Sequence, residues 1–116
     1  MLAELIEKGE PFIANAATKE EGVLLFELLK SMGVVWIGDS RTSRTIDPEE
    51  DAQRCFNMYG EVSLIVHYCH KKDKIAYGSR KYHKEQEPYS LYEQYNYKEL
   101  VMPAINIQAF EDFLIS

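Results

Sequence analysis

Leu2, Leu5 and Ile6 place an apolar stripe at helical spacing in the opening segment, and Gly9 and Pro11 close it. Glycine tolerates a left-handed exit, and proline disfavours helix in the residue before it. Pro11 to Ala17 then reads as a short strand. A Thr-x-x-Glu capping box at Thr18 and Glu21 opens a helix over 19–32, with Val23, Leu24, Phe26, Leu28 and Leu29 as its apolar positions and Gly33 as its stop. Val34 to Ile37 is β-branched and aromatic and too short for a helix, so a strand, a helix and a second strand follow one another by residue 37.

The stretch from Gly38 to Ile46 is polar and rich in hydroxyls, which compete for backbone hydrogen bonds and favour an exposed loop. Asp47, Pro48 and Glu50 then start a helix, with proline in the first turn and acids near the positive end of the dipole. Ala52, Cys55, Phe56 and Tyr59 continue it to Gly60. Val62, Leu64, Val66 and Tyr68 alternate with Ser63, Ile65, His67 and Cys69, the period of a strand. A turn over His70–Lys74 and a return strand to Ser79 make 61–79 an antiparallel hairpin. From Arg80 the pattern dissolves into charges and tyrosines around Pro88, with Leu91, Tyr92 and Tyr95 marking one or two helical turns. Tyr97 to Met102 reads as a last strand, and Asn106 caps a closing helix that buries Ile107, Phe110, Phe113 and Leu114. The expected architecture is one α+β domain over 1–116. It has a mainly antiparallel sheet of four or five strands, a long helix packed on one face and short peripheral helices.

A composition of 46% hydrophobic and 28% charged residues fits one soluble domain able to bury a core without disulfides or a structural metal. No apolar run reaches the length of a membrane span, and the acids in MLAELIEKGE stand where a secretory signal needs cations, so a cytoplasmic location is expected. The net charge of -6 disfavours direct binding to nucleic acid. Neither a Walker loop nor a Gly-x-Gly-x-x-Gly run is present, and no cofactor is called for.

His67, Cys69 and His70 have the chemistry of zinc or copper ligands. Strand geometry puts the first two on one face and turns the third away, while Cys55 or His83 would have to complete the set. Either cysteine beside a histidine is also a nucleophile on paper, but neither sits in a recognisable local signature. A small enzyme or metal protein built on His67, Cys69 and His83 is the rival to a binding protein.

Charge segregation is more informative. Lys71, Lys72, Lys74, Arg80, Lys81 and Lys84 face the single acid Asp73 across residues 70–84, interleaved with Tyr77 and Tyr82. Cations attract phosphate, and tyrosine offers a face for a base. In the loop 38–46, Arg41 and Arg44 add planar forks suited to phosphate or carboxylate. The candidate ligand-binding residues are therefore Arg41, Arg44, Ser79, Arg80, Lys81 and Tyr82, on the expectation that the two cationic segments converge. The acid run Glu49, Glu50, Asp51 suggests instead an acidic face that imitates a phosphate backbone. The tyrosine-rich stretch 77–97 suggests an oligomer interface of a structural or assembly protein.

The run EKGEPFIANAATKEEGVLLFELLKSMGVVWIGDS, followed by KIAYGSRKYHKE, resembles a group of small proteins encoded by bacteriophages and prophages. In that group a short strand, a Thr-x-Glu-Glu helix and a Gly-x-x-Trp strand precede a hairpin ending in Tyr-Gly-Ser. The resemblance covers residues 7–84 and departs around 47–60 and beyond Tyr97. It implies a non-catalytic accessory protein that counters host defence or a host enzyme, by occupying a protein target or sequestering a phosphate-bearing nucleotide signal.

Overall fold

The computed structural model describes residues 2–37, 44–69 and 72–101. The elements run α1 (Leu2–Lys8), β1 (Phe12–Ala16), α2 (Lys19–Ser31), β2 (Val35–Trp36), α3 (Pro48–Tyr59), β3 (Val62–Cys69), β4 (Lys72–Tyr77), α4 (Arg80–Glu85), a 3-10 turn (Tyr89–Leu91), β5 (Gln94–Asn96) and α5 (Tyr97–Val101). Side chains set the helix starts by accepting peptide N–H groups that have no partner within the helix. Thr18 Oγ1 accepts from Glu21 at 3.2 Å, Asp47 Oδ1 from Glu50 at 3.3 Å and Ser79 Oγ from Tyr82 at 3.0 Å.

The predicted α+β class holds, with two corrections. The helix expected to be long is the 13-residue α2, closely matched by the 12-residue α3. It stops where the Ser31 hydroxyl bonds the Leu28 carbonyl and Gly33 turns left-handed with φ 81°. The sheet is mixed rather than mainly antiparallel, in the order β2-β4-β3-β1-β5. β3 is antiparallel to both neighbours, whereas β1–β5 and β2–β4 are parallel, so β3 runs against the other four strands. Helical crossovers explain this: α2 carries the chain back before β2, and α4 with the 3-10 turn does the same before β5, so each new strand starts from the same end of the sheet.

The strand expected at 97–102 is instead α5 over its described part. Asn96 donates its peptide N–H to Glu99 Oε1 at 3.1 Å, the return half of a capping box, and Leu100 turns into the core. Of the helical turns expected at Leu91, Tyr92 and Tyr95, Leu91 lies in the 3-10 turn and Tyr95 in β5. The expected helix beginning at Asn106 lies outside the described residues.

Strand alternation divides the buried residues between two faces. Phe12, Ala14, Ala16, Val62, Leu64, Val66 and Ile75 join Leu25, Phe26, Leu29, Ala52 and Cys55 in one hydrophobic cluster beneath the helices. Contact there is close. A Cβ on Gly22 of α2 would lie 2.8 Å from Val62 Cγ2, so a larger residue would push the helix off the sheet. Ile13, Asn15, Ser63 and Ile65 alternate with those strand residues and are buried on the opposite face.

Candidate functional site

Among the described residues, each face of the sheet holds one buried polar cluster. On the helical face the centre is Asp51, in the first turn of α3 and 1% exposed. Its Oδ2 accepts from the Trp36 indole at 2.7 Å and from the Asp47 peptide N–H at 2.8 Å, and its Oδ1 accepts from Arg44 Nη2 at 3.2 Å. The Arg44 guanidinium also lies 5.7 Å from the centroid of the Trp36 ring, in cation–π range. Trp36 N–H bonds the Arg44 carbonyl at 2.8 Å, which ties the returning chain to β2. Three donors, one of them the Arg44 cation, satisfy this carboxylate, so the cluster is a structural pin.

On the other face, Ser63 Oγ donates to Asn15 Oδ1 at 2.7 Å and lies 2.8 Å from His83 Nδ1. Asn15 Nδ2 donates to Gln94 Oε1 at 3.1 Å. With the serine proton directed at Asn15, His83 carries its own proton on Nδ1 and gives it to Ser63. His83 Nε2 is then left buried without a partner, against Gly78. Burial pulls the His83 pKa below its ordinary value, opposed by the smaller effect of Glu61. The Ser63–His83 pair has the composition of a nucleophile and its base, but both residues are 0% exposed. A substrate has no access to it.

The helix α4 that buries His83 also presents an open groove lined by Glu61, Arg80, Lys81, Lys84 and Glu85. Glu61 accepts the Arg80 peptide N–H at 2.8 Å. Among the described residues, no carboxylate stands within ion-pair distance of Arg80, Lys81 or Lys84. Tyr82, 51% exposed, is on the same helix, with its ring 6.0 Å from those of His83 and Tyr89.

The candidate residues therefore separate. Arg80 and Lys81 share the groove, Tyr82 lies on their helix and Ser79 caps it. Arg44 is engaged with Asp51 beneath α3, on the opposite side of the sheet from His83, and Arg41 lies outside the described residues. Asp51 is not part of an acidic surface, which leaves Glu49 and Glu50 of that run exposed. His70 lies outside the described residues. Ser63, which holds His83, is four positions from His67 on β3, about 13 Å of strand, too far for one coordination sphere. Among the described residues no three His, Cys, Asp or Glu side chains gather as they would around a metal ion. Cys55 is buried, and desolvation with the nearby Asp51 charge pushes its thiol up to about 11, away from nucleophilic reactivity. No helix of the described residues is long and apolar enough to cross a membrane.

Comparison of the chain with protein-family models, with curated proteins and with solved structures finds no match.

Proposed function

We propose that this chain works by binding rather than catalysis, as a phage-type inhibitor acting in the host cytoplasm, and that its groove beside α4 takes a phosphate-bearing, nucleotide-like anion. The observation that carries this reading is the set of three cations, Arg80, Lys81 and Lys84, on one open groove of a chain whose net charge is -6, none of them in an ion pair among the described residues. Guanidinium and ammonium groups donate to phosphate oxygens, and the exposed ring of Tyr82 offers a stacking face. Glu61 and Glu85 in the same groove favour a ligand with hydrogen-bond donors of its own, such as ribose hydroxyls or an exocyclic amine. The burial of Ser63 and His83 supports the non-catalytic part of the reading.

Isothermal titration with cyclic dinucleotides, cyclic ADP-ribose isomers and ADP tests it. Binding should weaken about ten- to a hundredfold in Arg80→Ala, as expected for the loss of a charge-assisted contact of about 1.5–3 kcal/mol. Binding that is absent for all three ligand classes, or indifferent to Arg80→Ala and Lys84→Ala, overturns the groove as an anion site. Retention of a host protein on the immobilised chain, lost in Lys81→Glu, would then assign the groove to a protein target. A self-association reading has its own support in Leu91, 75% exposed, which adjoins Tyr92 in a chain of ring contacts running through Tyr89 to Tyr82. Light scattering that reports a monomer at all concentrations removes it.

A further inference from the structure

His83 is a poor anchor for a helix unless its ring is neutral. Nδ1 is engaged with Ser63, whose own proton goes to Asn15, so the network offers the ring one contact. Nε2 is buried without a hydrogen-bond partner and packs against Gly78, where a Cβ would lie 2.7 Å away. An imidazolium has a second N–H at that position and finds no acceptor. The sheet residues of this network, Ser63 against the ring and Asn15 behind it, are uncharged. Arg80 and Lys84 on α4 add positive charge nearby, Tyr82 and Tyr89 contribute ring edges and faces, and Glu61 is the carboxylate that favours the charged ring. The six-residue α4 is a light load to release: among the described residues its longer-range bonds are those of this histidine and of Glu61 to its first N–H, with ring contacts to Tyr89.

We infer that His83 is a pH-operated latch: its neutral ring holds α4 against the sheet, and protonation frees the helix together with the cations it carries. As regulation of the anion groove this rests on the binding reading above, whereas the release of α4 stands independently of any ligand. The docked histidine has the lower proton affinity, so docking is at full strength above the ordinary histidine value of about 6.5 and weakens as pH falls below it. The released fraction grows by up to about tenfold per pH unit in that window, until the docked ring itself titrates. A cationic groove on a rigid helix would behave differently, keeping its anion affinity at lower pH.

Amide hydrogen exchange read by NMR between pH 7.5 and 5.0, as protection factors for residues 80–85 against those of β1 and β3, tests the latch. In the unmodified chain the α4 protection factors should fall by tenfold or more while those of the central strands hold, and the His83 ring resonances should shift over the same range. His83→Gln should make α4 protection independent of pH. Should that variant not fold, Ser63→Ala, which removes the acceptor of Nδ1, should lower α4 protection already at pH 7.5. Flat α4 protection in the unmodified chain, or a fall unaccompanied by His83 titration, overturns the latch. Titration with a cyclic dinucleotide, whose phosphodiesters keep their charge over this range, separates the two claims. Affinity that falls together with α4 protection supports both. An absence of binding at every pH ends the anion reading and leaves the latch to the exchange data.

Discussion

The buried polar clusters on the two faces of the sheet are built from similar parts and do opposite things. Asp51 is a full charge taken out of water, yet each oxygen has a partner, and the groups that meet it come from β2, the returning chain at Arg44 and the start of α3. His83 is neutral, half satisfied and held by a serine that is itself shared with Asn15. A buried charge with complete coordination ties several elements together, and removing that charge strands every donor that meets it. A buried imidazole with an empty nitrogen holds one short helix and becomes worse at holding it when it gains a proton. The difference lies in completeness of coordination rather than in depth, since both residues are almost fully inaccessible.

Asp51→Ala should be the most damaging change, costing about 3–5 kcal/mol in urea denaturation, because the Trp36 indole and the Asp47 N–H both lose a buried acceptor. A cost near that of a surface substitution would break the contrast at its strong end. Ser63→Ala should cost about 2–3 kcal/mol by leaving His83 Nδ1 and Asn15 Oδ1 unpaired. Gly78→Ala should cost about 1–2 kcal/mol, with α4 lifting to make room, and the penalty should disappear when His83→Ala is added, a coupling that a double-mutant cycle reads directly. Arg44→Ala should cost under about 1 kcal/mol, since its side chain is 51% exposed and Asp51 keeps its other two donors. If Arg44→Ala matched Asp51→Ala, the pin would be an ion pair rather than a hydrogen-bonded carboxylate.

Much of the framework was legible in the sequence because it depends on local signals. The Thr18 and Asp47 caps, the Gly33 and Gly60 exits and the alternation from Val62 each act within a few residues, and the elements they predict stand close to where they were expected. Strand direction was not legible, because β2 and β5 are only two and three residues long and take their orientation from crossovers. The helix at 97–101 was missed because the β-forming look of Tyr97 and Val101 outweighed one cue, Glu99 placed to reach back to the Asn96 N–H. The two clusters left fainter traces. Asp51 falls four residues before Cys55, on the apolar stripe of its own helix, and an acid in that position signals a buried partner. Ser63 interrupts the apolar positions of a strand buried on both faces. Neither trace names Trp36 or His83, because those contacts join residues far apart in sequence and exist only once the sheet has formed.

The short outer strands also bear on how copies of this chain meet. Aggregation through strand addition needs a run of free ladder positions at a sheet margin. At the β2 margin the Trp36 N–H is already taken by the Arg44 carbonyl, and β5 offers three residues before α5 turns the chain away. The eight-residue β3, which pairs with β1 and β4 and would be the best template for a fibril, sits at the centre where no foreign strand can reach it.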